Sequence, residues 1–222
     1  MRWPAILLRL KVTIAYSVLA ATAAILVGHL GPHAQWHVLL RASTNLHNLG
    51  DGHVGTLVAS AFLTDGEPNW VWLGAVALLF AVAEWISGST RFLLAFAAGH
   101  VGATVLVAAG LFVGIHADWL EDSLAVAVDV GVSYAAAAVA GSLIRYLRGP
   151  WRVLWAGGWL ALVGASAIAD PSFTAFGHAT ALCIGLTLGG YFLHHDAKAL
   201  RDKYIADAAT ESVHPTSAMT SL

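Results

Sequence analysis

Residues 129–147 read DVGVSYAAAAVAGSLIRYL. The run is apolar enough to enter a bilayer, but Gly131 interrupts it. A helix beginning after that glycine and covering 132–147 has 16 residues, about 24 Å at 1.5 Å per residue. That is shorter than a hydrocarbon core of about 30 Å. Such a helix starts below the membrane surface and opens a water-filled cavity above Ser133. The stretch therefore predicts a bundle built around one short, buried helix.

Working outward, five further apolar runs of spanning length flank this one, at 12–30, 69–87, 92–115, 151–169 and 176–193, while the fourth run as a whole covers 123–147. About 20 mainly apolar residues suffice for a crossing. Composition agrees: 58% of the 222 residues are hydrophobic and 11% charged, with a mean hydropathy of +0.72. Soluble domains carry roughly 25% charged residues, so a soluble monomer and a disordered chain are excluded. The net charge of −2 offers no field for a nucleic acid. The single cysteine, Cys183, excludes a disulfide framework. Five later spans argue against reading 12–30 as a cleaved signal. The expected fold is an all-α, six-helix polytopic membrane domain over 1–200, followed by a polar, fraying cytoplasmic tail over 201–222.

Basic residues set the orientation. With the N-terminus inside, ten of the 11 Lys and Arg residues fall on the inner side: Arg2, Arg9, Lys11, Arg91, Arg145, Arg148, Arg152, Lys198, Arg201 and Lys203. Arg41 alone lies outside, where Asp51, Asp65, Glu67, Asp118, Glu121, Asp122 and Asp170 gather. Trp36, Trp70, Trp72 and Trp119 mark the outer interface, and Trp3, Trp85, Trp151 and Trp155 the inner one. Both termini are expected in the cytoplasm, in the plasma membrane of a prokaryote. Within the long outer connection 31–68, the apolar stretch VGTLVASAF at 54–62 is too short to span. It is expected to lie in the interface.

Ionisable and hydroxyl groups inside a membrane face the bundle interior or a cavity. Here they are Glu84, His100, Asp129, Ser133 and His178. A serine at a helix start ordinarily caps it, and one within a helix bonds the carbonyl four residues back. His178 brings a second reading. Gly177, Ala181, Gly185 and Gly189 place a small residue at every fourth position of the sixth span, a pattern that lets membrane helices touch. Ser133, Ala137 and Ala140 share a face on the fourth span. Packing of these two faces would bring Ser133 Oγ to the His178 imidazole, the minimum set for acyl transfer. The ordinary reading of His178 is a hydrogen bond between helices.

The GVSY motif at 131–134, GHATALCIG at 177–185, ASAFL at 59–63 and Glu84 with Gly88-Ser89, in this order and topology, resemble the rhomboid family. That resemblance implies a six-span intramembrane serine protease fold. It also implies a Ser133–His178 catalytic dyad and membrane helices of other proteins as substrates, with no cofactor. Gly131, Tyr134 and Asn69 fall where the family forms its oxyanion hole or pocket. Glu84, His100 and Asp129 are expected as structural polar residues. Two departures stand out. Tyr134 replaces the second glycine of GxSG, and the family's HxxxN pattern falls on Pro68 and Trp72. Loss of one oxyanion donor typically costs 10²–10³ in rate, which points to a slow protease or to a non-catalytic relative that binds membrane helices. The Tyr134 hydroxyl is expected to find Asp129 or His178. A third possibility is a metal or haem site from the outer histidines His29, His33, His37, His47 and His53. Gly31 and Pro32 break the helix between His29 and His33, and a role at the interface without metal is the expected one. The partners expected are the lipid bilayer and transmembrane segments, and no nucleic acid.

Overall fold

A computed structural model describes residues 3–64 and 68–213 of the chain, with side chains over 6–64 and 68–205. Arg2, Asp65, Glu67, the side chains of Trp3 and Ser212, and the last part of the polar tail lie outside the described residues. Among the described residues ten α-helices follow one another: α1 (Trp3–Arg9), α2 (Lys11–Gly28), α3 (Pro32–Ala42), α4 (Leu46–Gly50), α5 (Thr56–Ala59), α6 (Trp70–Ser87), α7 (Ser89–His116), α8 (Ser133–Ser142), α9 (Pro150–Ala169) and α10 (Phe173–Val213). Five of them (α2, α6, α7, α9 and α10) are long and apolar enough to cross a membrane. The sixth membrane helix is α8, which the others surround.

The fourth span is not one helix over 123–147. A 3₁₀ turn at Asp122–Val126 leads into a non-helical segment, α8 occupies ten residues, and a second 3₁₀ turn at Leu143–Tyr146 completes it. At about 1.5 Å and 2.0 Å of rise per residue, α8 and that turn together cover about 23 Å. Gly131 sets the break: its φ of 118° lies where side-chain-bearing residues are strained. Its N–H donates to Ser60 O at 2.8 Å, tying the break to the apolar stretch 54–62. That stretch is α5 followed by a 3₁₀ turn at Ser60–Phe62, packed on α2 and α7.

Every residue from Tyr134 to Ser142 is buried, which small side chains make possible. A Cβ on Gly99 of α7 or Gly185 of α10 would overlap Ala138. One on Gly141 would meet Leu182 O at 2.8 Å, and one on Gly189 would meet Ser142 O at 2.8 Å. The helices touch backbone to backbone, the usual means of association where lipid supplies no hydrophobic contrast. The face of α8 turned to α10 is therefore Tyr134–Ala138–Ser142, not the expected Ser133–Ala137–Ala140 stripe. On the other side of α8, Tyr16, Phe80 and Phe92 form an aromatic cluster with Phe62 and Phe96, with ring centroids 5.2–5.5 Å apart between Tyr16 and its partners and between Phe80 and Phe92 or Phe96. Helix α9 has no buried residue and packs chiefly on α10.

Helix α10 does not end near residue 193 but continues to Val213. The stretch 194–213 is rich in Ala, Asp and Lys and holds no Gly or Pro, so nothing breaks it. Its departure from the bundle is anchored at Asp196, which pairs with Arg91 at 2.6 Å and with Arg145.

Candidate functional site

Ser133 is the first residue of α8. The residue before it, Val132, has no hydrogen-bonding side chain, and its φ/ψ of −80°/−4° is helical rather than the extended geometry of a cap. The first helical bond is Ala136 N–H to Val132 O at 2.8 Å. The N–H groups of Ser133, Tyr134 and Ala135 are the orphan donors that every helix start leaves, and among the described residues no side chain is seen to cap them.

Ser133 lines two cavities. The larger, about 460 Å³, lies between α6, α8, α9 and α10; Trp72, Leu79, Ser133, Ala136, Ala137, Trp159, Val163, Ser166 and His178 are among its walls. The smaller, about 130 Å³, is lined by Thr64, Asn69, Trp72, Val130, Gly131, Val132 and Ser133. Ser133 and His178 thus face one space, while Asn69, Gly131 and Ser133 share the adjoining one. The two cavity-facing residues of α8 next to Ser133 are Ala136 and Ala137, which leave the space open. Among the described residues no direct hydrogen bond joins Ser133 to His178. Asn69 caps α6, its Oδ1 accepting the Trp72 N–H at 3.0 Å.

Tyr134 lies against α10. Its ring occupies the space that Gly177 leaves by having no side chain. The ring meets the His178 imidazole edge-on, with centroids 5.3 Å apart and planes at 79°. The bulky residue at the GxSG glycine position is thus accommodated by a glycine on the facing helix, away from the cavity. The Tyr134 hydroxyl is buried beside the Asp129 side chain, one of its two expected partners, and Thr174, although none of its contacts has regular hydrogen-bond geometry.

The remaining polar residues hold the frame. Asp129 sits in the segment leading into α8, bound through its backbone: its N–H donates to Ser43 Oγ at 2.7 Å, and its carbonyl accepts the Thr44 N–H at 3.0 Å and the Thr44 hydroxyl at 3.0 Å. His100 on α7 reaches the 54–62 stretch, with Nε2 at 2.9 Å from Leu57 O and 3.2 Å from Ser60 Oγ. Glu84 is fully buried at the opposite end of the bundle. It accepts the Val12 and Thr13 N–H groups at 3.1 and 2.8 Å and the Ser89 hydroxyl at 2.6 Å, so it caps α2 from another helix.

Sequence reasoning missed Ser43 and Thr44, as well as Trp159 and Ser166 of the cavity wall. The run Ser43-Thr44-Asn45 before Leu46 is a helix-start signature, and Asn45 Oδ1 does accept the Asn48 N–H at 2.8 Å. Nothing local announces that Ser43 and Thr44 also hold Asp129. Of the outer histidines, His29 caps the end of α2, and His33 and His37 lie together on α3. His47 pairs with Asp51 at 3.5 Å. No group of three or more metal-ligating side chains converges among the described residues.

No curated protein and no solved structure matches the chain. A family model described as rhomboid-like protein does, over residues 11–198, from the first long helix to the part of α10 just past Asp196. It takes in both cavities, the 54–62 stretch and the Glu84 cap, so the chain belongs to the rhomboid-like family.

Proposed function

We propose that the chain is a rhomboid-type intramembrane serine endopeptidase, slow in turnover, with Ser133 as nucleophile and His178 as general base. One observation carries this reading: the two residues line the same cavity at the uncapped start of a buried helix. In that reading the imidazole takes the Ser133 proton as Oγ attacks a peptide carbonyl, then gives it to the leaving amine. Water, deprotonated by the same imidazole, releases the acyl group. The N–H groups at the start of α8 are placed to stabilise the oxyanion, beside Gly131 and the Asn69 side chain in the smaller cavity. Pro68 and Trp72 stand where the family's HxxxN donors would be, which supports a rate about 10²–10³ below a complete site.

Substrates are transmembrane segments of other proteins. They arrive laterally between α6 and α9, two of the four helices that wall the larger cavity, of which α9 is the less anchored. The cavity opens to the outside, both termini lie in the cytoplasm, and residues 1–200 form the working domain ahead of the polar tail. The positive-inside count supports this orientation, and a prokaryotic plasma membrane is its setting.

A second reading, a non-catalytic protein that binds membrane helices through the same opening, draws on the Tyr134 ring held against His178 and on the lack of a direct Ser133–His178 bond. Reconstitution into vesicles with a set of single-span substrates separates the two. Cleavage that Ser133→Ala abolishes supports the enzyme. Retention of uncleaved helices by both the natural chain and Ser133→Ala supports the binder.

A further inference from the structure

Helix α3 begins with Pro32 in its first turn, where the fixed φ favours the helix, and buries Leu39 against the body of the protein. On its exposed face His33 and His37 are four residues apart and so stand one above the other. Their Nε2 atoms are 3.2 Å apart, and the rings lie at 88° with centroids 4.4 Å apart. As they stand the two rings meet edge to face with their Nε2 atoms in hydrogen-bond contact, and a small rotation of these exposed rings would turn both lone pairs to one cation. With metal–nitrogen bonds of about 2.0–2.1 Å, a 3.2 Å separation corresponds to an angle at the metal of about 99–106°, close to tetrahedral. Imidazole suits zinc, copper and nickel rather than calcium or magnesium. Two histidines on one turn of one helix lose less freedom on binding than two from separate segments.

We infer that His33 and His37 form a two-imidazole chelate for a divalent first-row transition ion of the zinc or copper(II) class, with water in the other positions. The site is separate from Ser133 and His178, and does not depend on whether the protein cleaves anything. His29 ends the preceding helix and His47 is engaged with Asp51, so neither belongs to it. Metal spanning one helical turn would also fix the α3 backbone.

The test is calorimetric titration of the full, metal-free chain in detergent with zinc chloride and, separately, copper(II) chloride. The expected result is a saturable site of one ion per chain, with copper(II) the tighter of the two. His33→Ala and His37→Ala each weaken that site at least about tenfold, and His47→Ala leaves it unchanged. Circular dichroism confirms equal helix content in all variants, since both side chains are exposed. Equal affinity in both α3 variants, a loss confined to one of them, or no saturable site at millimolar metal overturns the proposal.

Discussion

Two buried helix starts, at opposite ends of the bundle, are treated in opposite ways. At the start of α2, the Glu84 carboxylate reaches across from α6 and takes up the Val12 and Thr13 N–H groups. At the start of α8, no side chain among the described residues is seen to do this for Ser133, Tyr134 and Ala135. Orphan N–H groups buried without partners cost free energy. A fold able to bring a carboxylate across 71 residues of sequence to satisfy one helix leaves the other bare beside a cavity. The first end is built for stability; in the proposed reading, the second keeps its donors available for a ligand whose charge appears during reaction.

Removal of the Glu84 carboxylate is expected to have the largest effect on stability. Glu84→Ala strands the buried Thr13 N–H together with the half-buried Val12 N–H and Ser89 hydroxyl, at about 1–3 kcal/mol for a buried group and less for the other two. Unfolding in mixed micelles should record a loss of roughly 3 kcal/mol or more, and a loss below 1 kcal/mol would mean that the first helix start needs no cap. Next comes the backbone contact beneath the second. Gly185→Val drives a side chain into Ala138 and should cost about 1–3 kcal/mol, read by the same unfolding assay. Gly131→Ala follows at about 1–2 kcal/mol, because φ is 118° there. It should also depress any reactivity of Ser133 by more than its effect on stability, since the residue sets the direction of the chain into α8.

The smallest expected change has the opposite sign. Tyr134→Phe removes a buried hydroxyl that has no regular hydrogen bond and keeps the ring against Gly177 and His178. It should be neutral or stabilising by up to about 1 kcal/mol. A clear destabilisation in the unfolding assay would show that the hydroxyl is satisfied after all, and that the two ends differ less than the comparison holds.

The spans and the break at Gly131 were legible in the sequence because hydropathy, helix length and glycine act locally. So was the family, through the motifs at 131–134 and 177–185. The orientation of α8 was not. Its residues YAAAAVAGS are mostly small on all sides, so periodicity assigns no preferred face, and the Ser133–Ala137–Ala140 stripe was expected against α10 where Tyr134–Ala138–Ser142 lies. The decision came from Gly177, Gly185 and Gly189 of α10, which admit the Tyr134 ring and the α8 backbone. The partners of Glu84 and Asp129 were illegible for a related reason: the groups they meet are backbone N–H and C=O or hydroxyls far away in sequence, which leave no compositional trace. Tyr134 itself was read as a threat to the site. Its accommodation depends on Gly177, a residue seen in the sequence only as one step of a small-residue stripe.

The central claim is that the uncapped start of α8 makes Ser133 reactive with His178 as its base. It is tested most directly by covalent labelling with a fluorophosphonate, read by intact mass and peptide mapping. Folded natural chain should acquire a single adduct, located on Ser133, and both Ser133→Ala and His178→Ala should fail to acquire it. A folded chain that stays unmodified, or an adduct that persists in Ser133→Ala, would contradict the account.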